Sequence, residues 1–312
     1  MTRGATVAVH GGRFGDLILE GLRAMIPDVV FVAAASEEAV HDADVLATLA
    51  DGEAEITKAL TPRIEWIHVL GAGVDGFPFV VVGGRKLTCS RGAAAPAIAE
   101  FVMASMLAFE KQLPDSWITE PPEQWNVAGL GGLSGKTLGL VGIGAIGSEI
   151  AKRAVAFEMD VLCLRRREAL PDVEGVRLAA DVSSLVEASD HVVVAAPATA
   201  RTVRMFDSAV FAKTRRGAHF VNVARGSLVD QDALLEALDS GQLAMATLDV
   251  VEPEPLPAGH PLYSHPKVRL SPHISWSSPA TAARTLKLFE ENLTRYRRGE
   301  ELHFLIDVRE GY

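Results

Sequence analysis

Cysteine is nearly missing from this 312-residue chain: there are two, Cys89 and Cys163, each within an apolar run. That excludes a disulfide framework and offers no metal-ligand spacing, so both read as small buried hydrophobes and no metal is expected. Positive charge is also in short supply, with 30 Lys plus Arg against 40 Asp plus Glu and a formal charge of -10. A chain of that sign has no general attraction for phosphate backbones, and nucleic acid is not an expected partner. Long hydrophobic runs are lacking too. The most apolar stretch, Ala93 to Phe109, contains Pro96 and Glu100 and falls short of the roughly 20 residues that span a bilayer. It reads as a buried helix, and no membrane association is expected. Met1-Thr2-Arg3-Gly4 runs straight into a strand-like segment without the apolar region of a signal peptide, which gives a cytoplasmic location as the expectation. There is no low-complexity tract and no internal repeat.

What the chain does have is ordinary globular composition, 48% apolar and 22% charged, and a length that favours two domains over one core. Short apolar runs alternate with helical patterns in two series, the signature of parallel α/β sheets. The first series places strands at Thr6 to Val9, Val29 to Ala34, Val45 to Thr48, Ile64 to Val69 and Lys86 to Cys89. The second places six, at Thr137 to Val141, Asp160 to Leu164, His191 to Ala195, His219 to Val223, Ala244 to Asp249 and Val268 to Leu270. Helices between them include Ala145 to Phe157 and Asp230 to Leu238, the latter opened by an Asp at the cap position. A stretch rich in Pro, Gly and Trp, Gln112 to Gly135, separates the series as an arm or linker. A last helix, from Pro279 to about Arg298, follows the second series and is free to return to the first domain.

The second series opens on a specific chemical signal. Leu138-Gly139-Leu140-Val141 leads into Gly142-Ile143-Gly144-Ala145-Ile146-Gly147 and then a helix. In that strand-turn-helix context Gly142 permits the tight turn, Gly144 lets the backbone approach a pyrophosphate, and Gly147 lets the helix pack on the strand. Free N–H groups and the helix dipole then face the anion, so a bound dinucleotide is predicted. At the end of the next strand, where an acidic residue would accept hydrogen bonds from a ribose 2'-hydroxyl, stand Arg165, Arg166 and Arg167. Guanidinium groups suit a 2'-phosphate, which predicts NADP(H) as the preferred cofactor with NAD(H) still possible; the alternative for these arginines is a solvated charged loop.

Three phrases at the ends of the later strands carry the rest. Asn222-Val223-Ala224-Arg225-Gly226, Leu248-Asp249-Val250-Val251-Glu252-Pro253-Glu254-Pro255 and Ser271-Pro272-His273-Ile274-Ser275 supply a fixed cation, a carboxylate and an imidazole. Carboxyl ends of parallel strands are where such sheets bind ligands. In this order and spacing, together with Gly71-Ala72-Gly73-Val74-Asp75 and Ala99-Glu100 of the first half, these phrases resemble the D-isomer-specific 2-hydroxyacid dehydrogenases over nearly the whole chain. Within that family the glyoxylate/hydroxypyruvate reductases look most similar, partly because Arg165 to Arg167 replace the usual Asp.

The resemblance implies an oxidoreductase that moves hydride between NADP(H) and a small 2-keto or D-2-hydroxy acid. The implied fold is a Rossmann-type dinucleotide-binding domain, residues 99–278, inserted in a flavodoxin-like substrate domain, residues 1–98 and 279–312. Arg225 would hold the substrate carboxylate and keto oxygen. His273 would be the general acid for reduction and base for oxidation, since imidazole titrates at about 6.5. Glu254 would bond the other ring nitrogen and stabilise the imidazolium. Substrate contacts are implied at Gly73, Val74, Arg225, His273 and Trp276. Cofactor contacts are implied at Gly142, Gly144, Ala145, Ile146, Gly147, Arg165, Arg166, Arg167, Ala196, Pro197, Val223, Ala224, Arg225, Asp249 and His273. A homodimer is implied, with Gln112 to Gly135 able to reach a partner. The remaining histidines read as structural. Two other readings stay open: a formate or phosphite dehydrogenase, against which Glu254 argues because the formate enzymes carry Gln there, and a nicotinamide-sensing binding protein on the same fold.

Overall fold

Apolar runs of four to six residues become parallel strands because both of their faces are covered, and the amphipathic stretches between them become the covering helices. The computed structural model describes residues 4–34, 40–49, 52–126, 128–166, 173–309 and 311. The chain divides into two units, residues 1–94 with 278–312, and residues 95–277. The expected cut after residue 98 therefore falls inside a helix, Ala95–Glu110, which belongs wholly to the second unit.

The first unit holds β1 (Thr6–His10), α1 (Gly15–Met25), β2 (Val30–Ala33), β3 (Val45–Thr48), α2 (Glu53–Lys58), β4 (Trp66–Val69) and β5 (Lys86–Cys89). All strand pairs are parallel, in the order β2-β1-β3-β4-β5. That is the flavodoxin-like order. The unit is completed by the last helix of the chain, Pro279–Arg298, capped by the Ser278 hydroxyl on the Thr281 amide at 3.2 Å and ended by Gly299. Phe289, Leu293 and Tyr296 of that helix are buried on the sheet. Phe289 stacks on Trp66 at 5.5 Å, and each fully buried side chain of that size contributes about 1.5–3 kcal/mol.

The second unit carries α3 (Ala95–Glu110), β6 (Thr137–Val141), α4 (Ala145–Ala156), β7 (Asp160–Leu164), β8 (Val176–Leu178), α5 (Val182–Ala188), β9 (His191–Val194), α6 (Ser208–Phe211), β10 (Ala218–Asn222), α7 (Gln231–Asp239), β11 (Leu243–Leu248) and β12 (Val268–Leu270); the last helix of the first unit, Pro279–Arg298, is α8. The parallel sheet of the second unit runs β12-β11-β10-β9-β6-β7-β8, which is the doubly wound order with one added edge strand beside β11. The sequence predicts six strands here. The seventh, β8, is three residues at the other edge, none of them fully buried. Phe206, Phe211 and Phe220 form the aromatic centre of this unit's core. Asp230 caps α7 through its side chain on the Ala233 amide. Among the described residues no helix is long and apolar enough to cross a membrane.

Candidate active site

Register across the second sheet sets the site. Leu164, Val141, Val194, Asn222, Leu248 and Leu270 are aligned partners in β7, β6, β9, β10, β11 and β12. Every strand is parallel, so one residue beyond this row the chain leaves the sheet at the same edge six times, at Arg165, Gly142, Ala195, Val223, Asp249 and Ser271. Neighbouring strands are about 4.8 Å apart. The glycine turn, the Arg225 loop, the Glu254 loop and the His273 loop therefore rise from one edge in a fixed order.

At the glycine turn, Gly142 has φ 98°, and a Cβ there would sit 2.8 Å from the Ala195 and Ala196 backbone. A Cβ on Gly147 would overlap the Gly142 carbonyl, so α4 can start this close to β6 only with glycine at that position. Gly144 is different: nothing lies within 4 Å of its missing Cβ, and the residue is exposed with Ala145. It also caps α4 without a side-chain hydrogen bond. Uncapped amides beside open space at a helix N-terminus fit a dinucleotide pyrophosphate. Ala196 is buried and Pro197 exposed just past β9, and Ile146 is half-buried on the first turn of α4. Arg165 is half-buried and Arg166 exposed directly after β7, while Arg167 lies outside the described residues.

The Arg225 turn is built by Asn222, which is 1% exposed. Its side-chain oxygen accepts from the Ala224 amide at 3.0 Å and its side-chain nitrogen donates to the Arg225 carbonyl at 2.9 Å. Val223 and Ala224 are buried, and the half-buried Arg225 donates to the Ala224 carbonyl at 2.6 Å. Gly226 is required because a Cβ there would overlap the Val251 carbonyl of the neighbouring loop. Gln231 ties that loop down, donating to the Glu252 carbonyl at 2.7 Å and accepting from the Glu252 amide at 3.1 Å.

Glu254 and His273 meet. Oε2 of Glu254 lies 2.8 Å from Nδ1 of His273, and Oε1 accepts from the Val251 amide at 3.1 Å, so the carboxylate is held at both oxygens. Among the described residues the other imidazole nitrogen, Nε2, makes no hydrogen bond. Both side chains are about two-fifths exposed, at 40% and 37%. Asp249, expected beside the cofactor, is 1% exposed. Its carboxylate takes Ser271 Oγ at 2.6 Å, the Ile274 amide at 2.8 Å and the Ser275 amide at 2.9 Å. It braces the loop that carries His273. In the first unit, Gly73 is half-buried and Val74 buried in the turn after β4, whose Gly71 carbonyl is fixed by the Ser90 amide at 3.0 Å. Among the described residues the Gly73 and Val74 amides have no acceptor.

Asn222, Gln231 and Ser271 are the supporting residues that sequence reasoning did not single out. Asn222 and Ser271 stood inside the motif phrases and could have been read as turn formers. Gln231 had no local signal.

A doubly wound sheet with an uncapped glycine turn, a fixed cation and a carboxylate-held imidazole at one edge defines a dinucleotide-dependent oxidoreductase of the α/β class. The sequence pattern described as "D-isomer specific 2-hydroxyacid dehydrogenase, NAD binding domain" matches residues 103–275. The chain is 33% identical over 281 residues to the glyoxylate reductase of Thermofilum pendens, covering 84% of this chain and 80% of that one. Among solved structures, a D-isomer-specific 2-hydroxyacid dehydrogenase from Xanthobacter autotrophicus, in complex with NADPH and MES, superposes with a TM-score of 0.85 at 26% identity, covering 99% of this chain and all of that one. The NADPH-dependent glyoxylate/hydroxypyruvate reductase of Sinorhizobium meliloti shares the fold, with a TM-score of 0.82 at 24% identity over 99% of this chain and 100% of that one. The chain belongs to the D-isomer-specific 2-hydroxyacid dehydrogenase family, as an NAD(P)-dependent enzyme of the glyoxylate/hydroxypyruvate reductase group.

Proposed function

We propose that this enzyme reduces a small 2-keto acid such as glyoxylate or hydroxypyruvate to the D-2-hydroxy acid, with NADP(H) preferred to NAD(H). The observation that carries the proposal is the 2.8 Å contact between His273 Nδ1 and Glu254 Oε2, on the sheet edge that also bears the glycine turn and Arg225.

Arg225 binds the substrate carboxylate and polarises the keto oxygen, because its planar fork offers five donors and keeps its charge. The protonated His273 donates from Nε2 to that oxygen as the carbonyl is reduced, and Glu254 fixes the tautomer and stabilises the imidazolium before transfer. When bound, the nicotinamide supplies the hydride. The amides of Gly144, Ala145, Ile146 and Gly147 would hold the pyrophosphate, with Ala196, Pro197, Val223 and Ala224 lining the path of the cofactor. Asp249 acts in this reading by supporting the His273 loop beside the nicotinamide. The Gly73 and Val74 amides are proposed as carboxylate donors.

The preference for NADP(H) is supported by Arg165 and Arg166 directly after β7, in the place where an acidic residue would receive a ribose hydroxyl. The NADPH complex of the Xanthobacter relative is consistent with it. A homodimer and a cytoplasmic location complete the proposal, the latter in keeping with two buried, unpaired cysteines.

The test is oxidation of NADPH and of NADH in the presence of glyoxylate, hydroxypyruvate and phenylpyruvate. Higher kcat/KM with NADPH on one of these acids is expected, and His273→Ala should lower kcat by about two to four orders of magnitude. A clear NADH preference removes the cofactor assignment. Absence of turnover on every acid leaves a nucleotide-binding protein on this fold.

A further inference from the structure

His273 is held in a backbone conformation that side-chain-bearing residues avoid. Its φ is 55°, the left-handed region, which costs a non-glycine residue about 1–2 kcal/mol. Something must hold it there, and the two sides of the residue are held differently. On its amide side, the His273 N–H donates to the Asp249 carbonyl at 2.9 Å, which fixes φ from within the unit. On its carbonyl side, the peptide joining His273 to Ile274 is gripped at both ends. Its N–H donates to Asp249 Oδ1 at 2.8 Å, and its carbonyl accepts from the Trp276 indole Nε1 at 2.8 Å. Asp249 is buried, whereas Trp276 is 49% exposed. The indole N–H is thus the surface-side anchor of a peptide plane whose buried side belongs to Asp249.

We infer that Trp276 is a positioning residue for proton transfer: its indole N–H, and not its ring surface, keeps the His273–Ile274 peptide plane in place and so aims the imidazole. Two fixed points define the plane, and the plane together with the bonded His273 amide fixes the direction of the Cα–Cβ bond. From there the ring meets Glu254 at Nδ1 and presents Nε2. Releasing the carbonyl leaves the plane held by its N–H bond to Asp249 Oδ1 and lets it turn about that bond. This inference rests on the reading of His273 as the proton-transfer residue and goes beyond it, because it gives the indole N–H, a donor to the His273 carbonyl, a part in aiming that residue.

Trp276→Phe separates the two roles in the full-length enzyme, since it keeps an aromatic ring and removes the donor. Loss of one hydrogen bond of about 0.5–1.5 kcal/mol corresponds to about a 2- to 12-fold change. We expect kcat to fall by that factor for every acceptor tested, whatever its side chain, with KM nearly unchanged, the circular dichroism kept and the melting temperature lowered by only a few degrees at most. In a His273→Ala background the same substitution should have no further effect on kcat, because the two residues act as one unit. NMR titration of the His273 imidazole should differ between the Trp276→Phe variant and the parent. That reading needs no turnover, so it judges positioning even if none of the proposed acids is reduced. A parent-like kcat and imidazole titration overturns the inference, as does a defect confined to KM for bulky acceptors, which would identify the ring as a wall.

Discussion

At the scale of single residues, the proposed chemistry depends on carboxylate oxygens that are already spoken for. Glu254 uses Oε2 for His273 and Oε1 for the Val251 amide. Gln at this position has one oxygen and one NH2 group, so it cannot accept both donors and carries no charge. The imidazolium then loses a neighbouring negative charge, and reduction, which consumes the protonated ring, should fall off at lower pH. Glu254→Gln is expected to move that limb of the kcat/KM profile while leaving NADPH affinity, measured by fluorescence titration, unaltered. An unshifted limb removes Glu254 from the relay. Arg225, Glu254 and His273 could be singled out for the proposed roles because each stands in a phrase that follows a strand end, and the structure brings Glu254 and His273 into contact. Asn222 acts locally and could have been read as a turn former, but other supports were not legible because their bonds span long separations. Gln231 reaches Glu252 across 21 positions and Asp249 reaches Ser275 across 26, and no local pattern encodes such pairs. Asp249 itself was legible as important, but its inward direction was not.

At the scale of elements, strand positions were legible as short apolar runs, and β8 was missed: it has the same Val-Arg-Leu as β12, but at the opposite edge none of its three residues is fully buried. The strands also carry histidines whose burial the sequence did not reveal. His68 on β4 bonds Thr88 at 2.7 Å and Ser90 at 3.1 Å, and burial pushes its pKa down to about 3. On β9 and β10, His191 and His219 lie Nδ1 to Nδ1 at 3.3 Å, and His219 Nε2 bonds Thr247 at 2.9 Å. Burial pushes His191 down to about 4, against the nearby Glu110 and Asp190 carboxylates and with the Lys136 ammonium. His219 is driven well below its usual value by burial and by His191. His191 Nε2 stands 3.1 Å from Glu110 Oε1, at an angle that makes no hydrogen bond. All three rings are therefore neutral in the folded state at a pH where they would be protonated in the unfolded chain. Above about pH 6.5 they cost nothing, and below it the unfolded state binds protons that the folded state refuses, so stability is lost as pH falls from about 6.5 toward 4 at about 1.4 kcal/mol per pH unit for each ring. Urea unfolding at pH 7, 6 and 5 should show a steep decline, and His219→Asn should make it shallower by the share of one ring. A stability flat over that range would mean that these rings are protonated in the fold.

At the scale of the whole molecule, the two strand series, the glycine turn that opens the second, and the return of the last helix to the first unit could all be read from the sequence. The quaternary state could not, because it depends on what covers residues between the series. The structure sharpens that question, since the segment between α3 and β6 leaves Trp117 and Trp125 each 72% exposed and Ile118 56% exposed. Two indoles this exposed forgo about 3 kcal/mol each of burial, and apolar groups clustered on one segment mark an interaction surface more often than a monomer's skin. A second copy of the chain is the proposed cover. Light scattering should then give twice the 33.3 kDa of one chain, and Trp117→Ser combined with Trp125→Ser should halve that mass while the circular dichroism stays the same. The chain's formal charge of -10 makes two copies repel at long range, so raising the salt concentration should tighten the dimer, in contrast to an interface built from opposite charges. A double variant that remains a dimer would place the contact elsewhere, and a monomeric parent at micromolar concentration would remove the homodimer from the proposal.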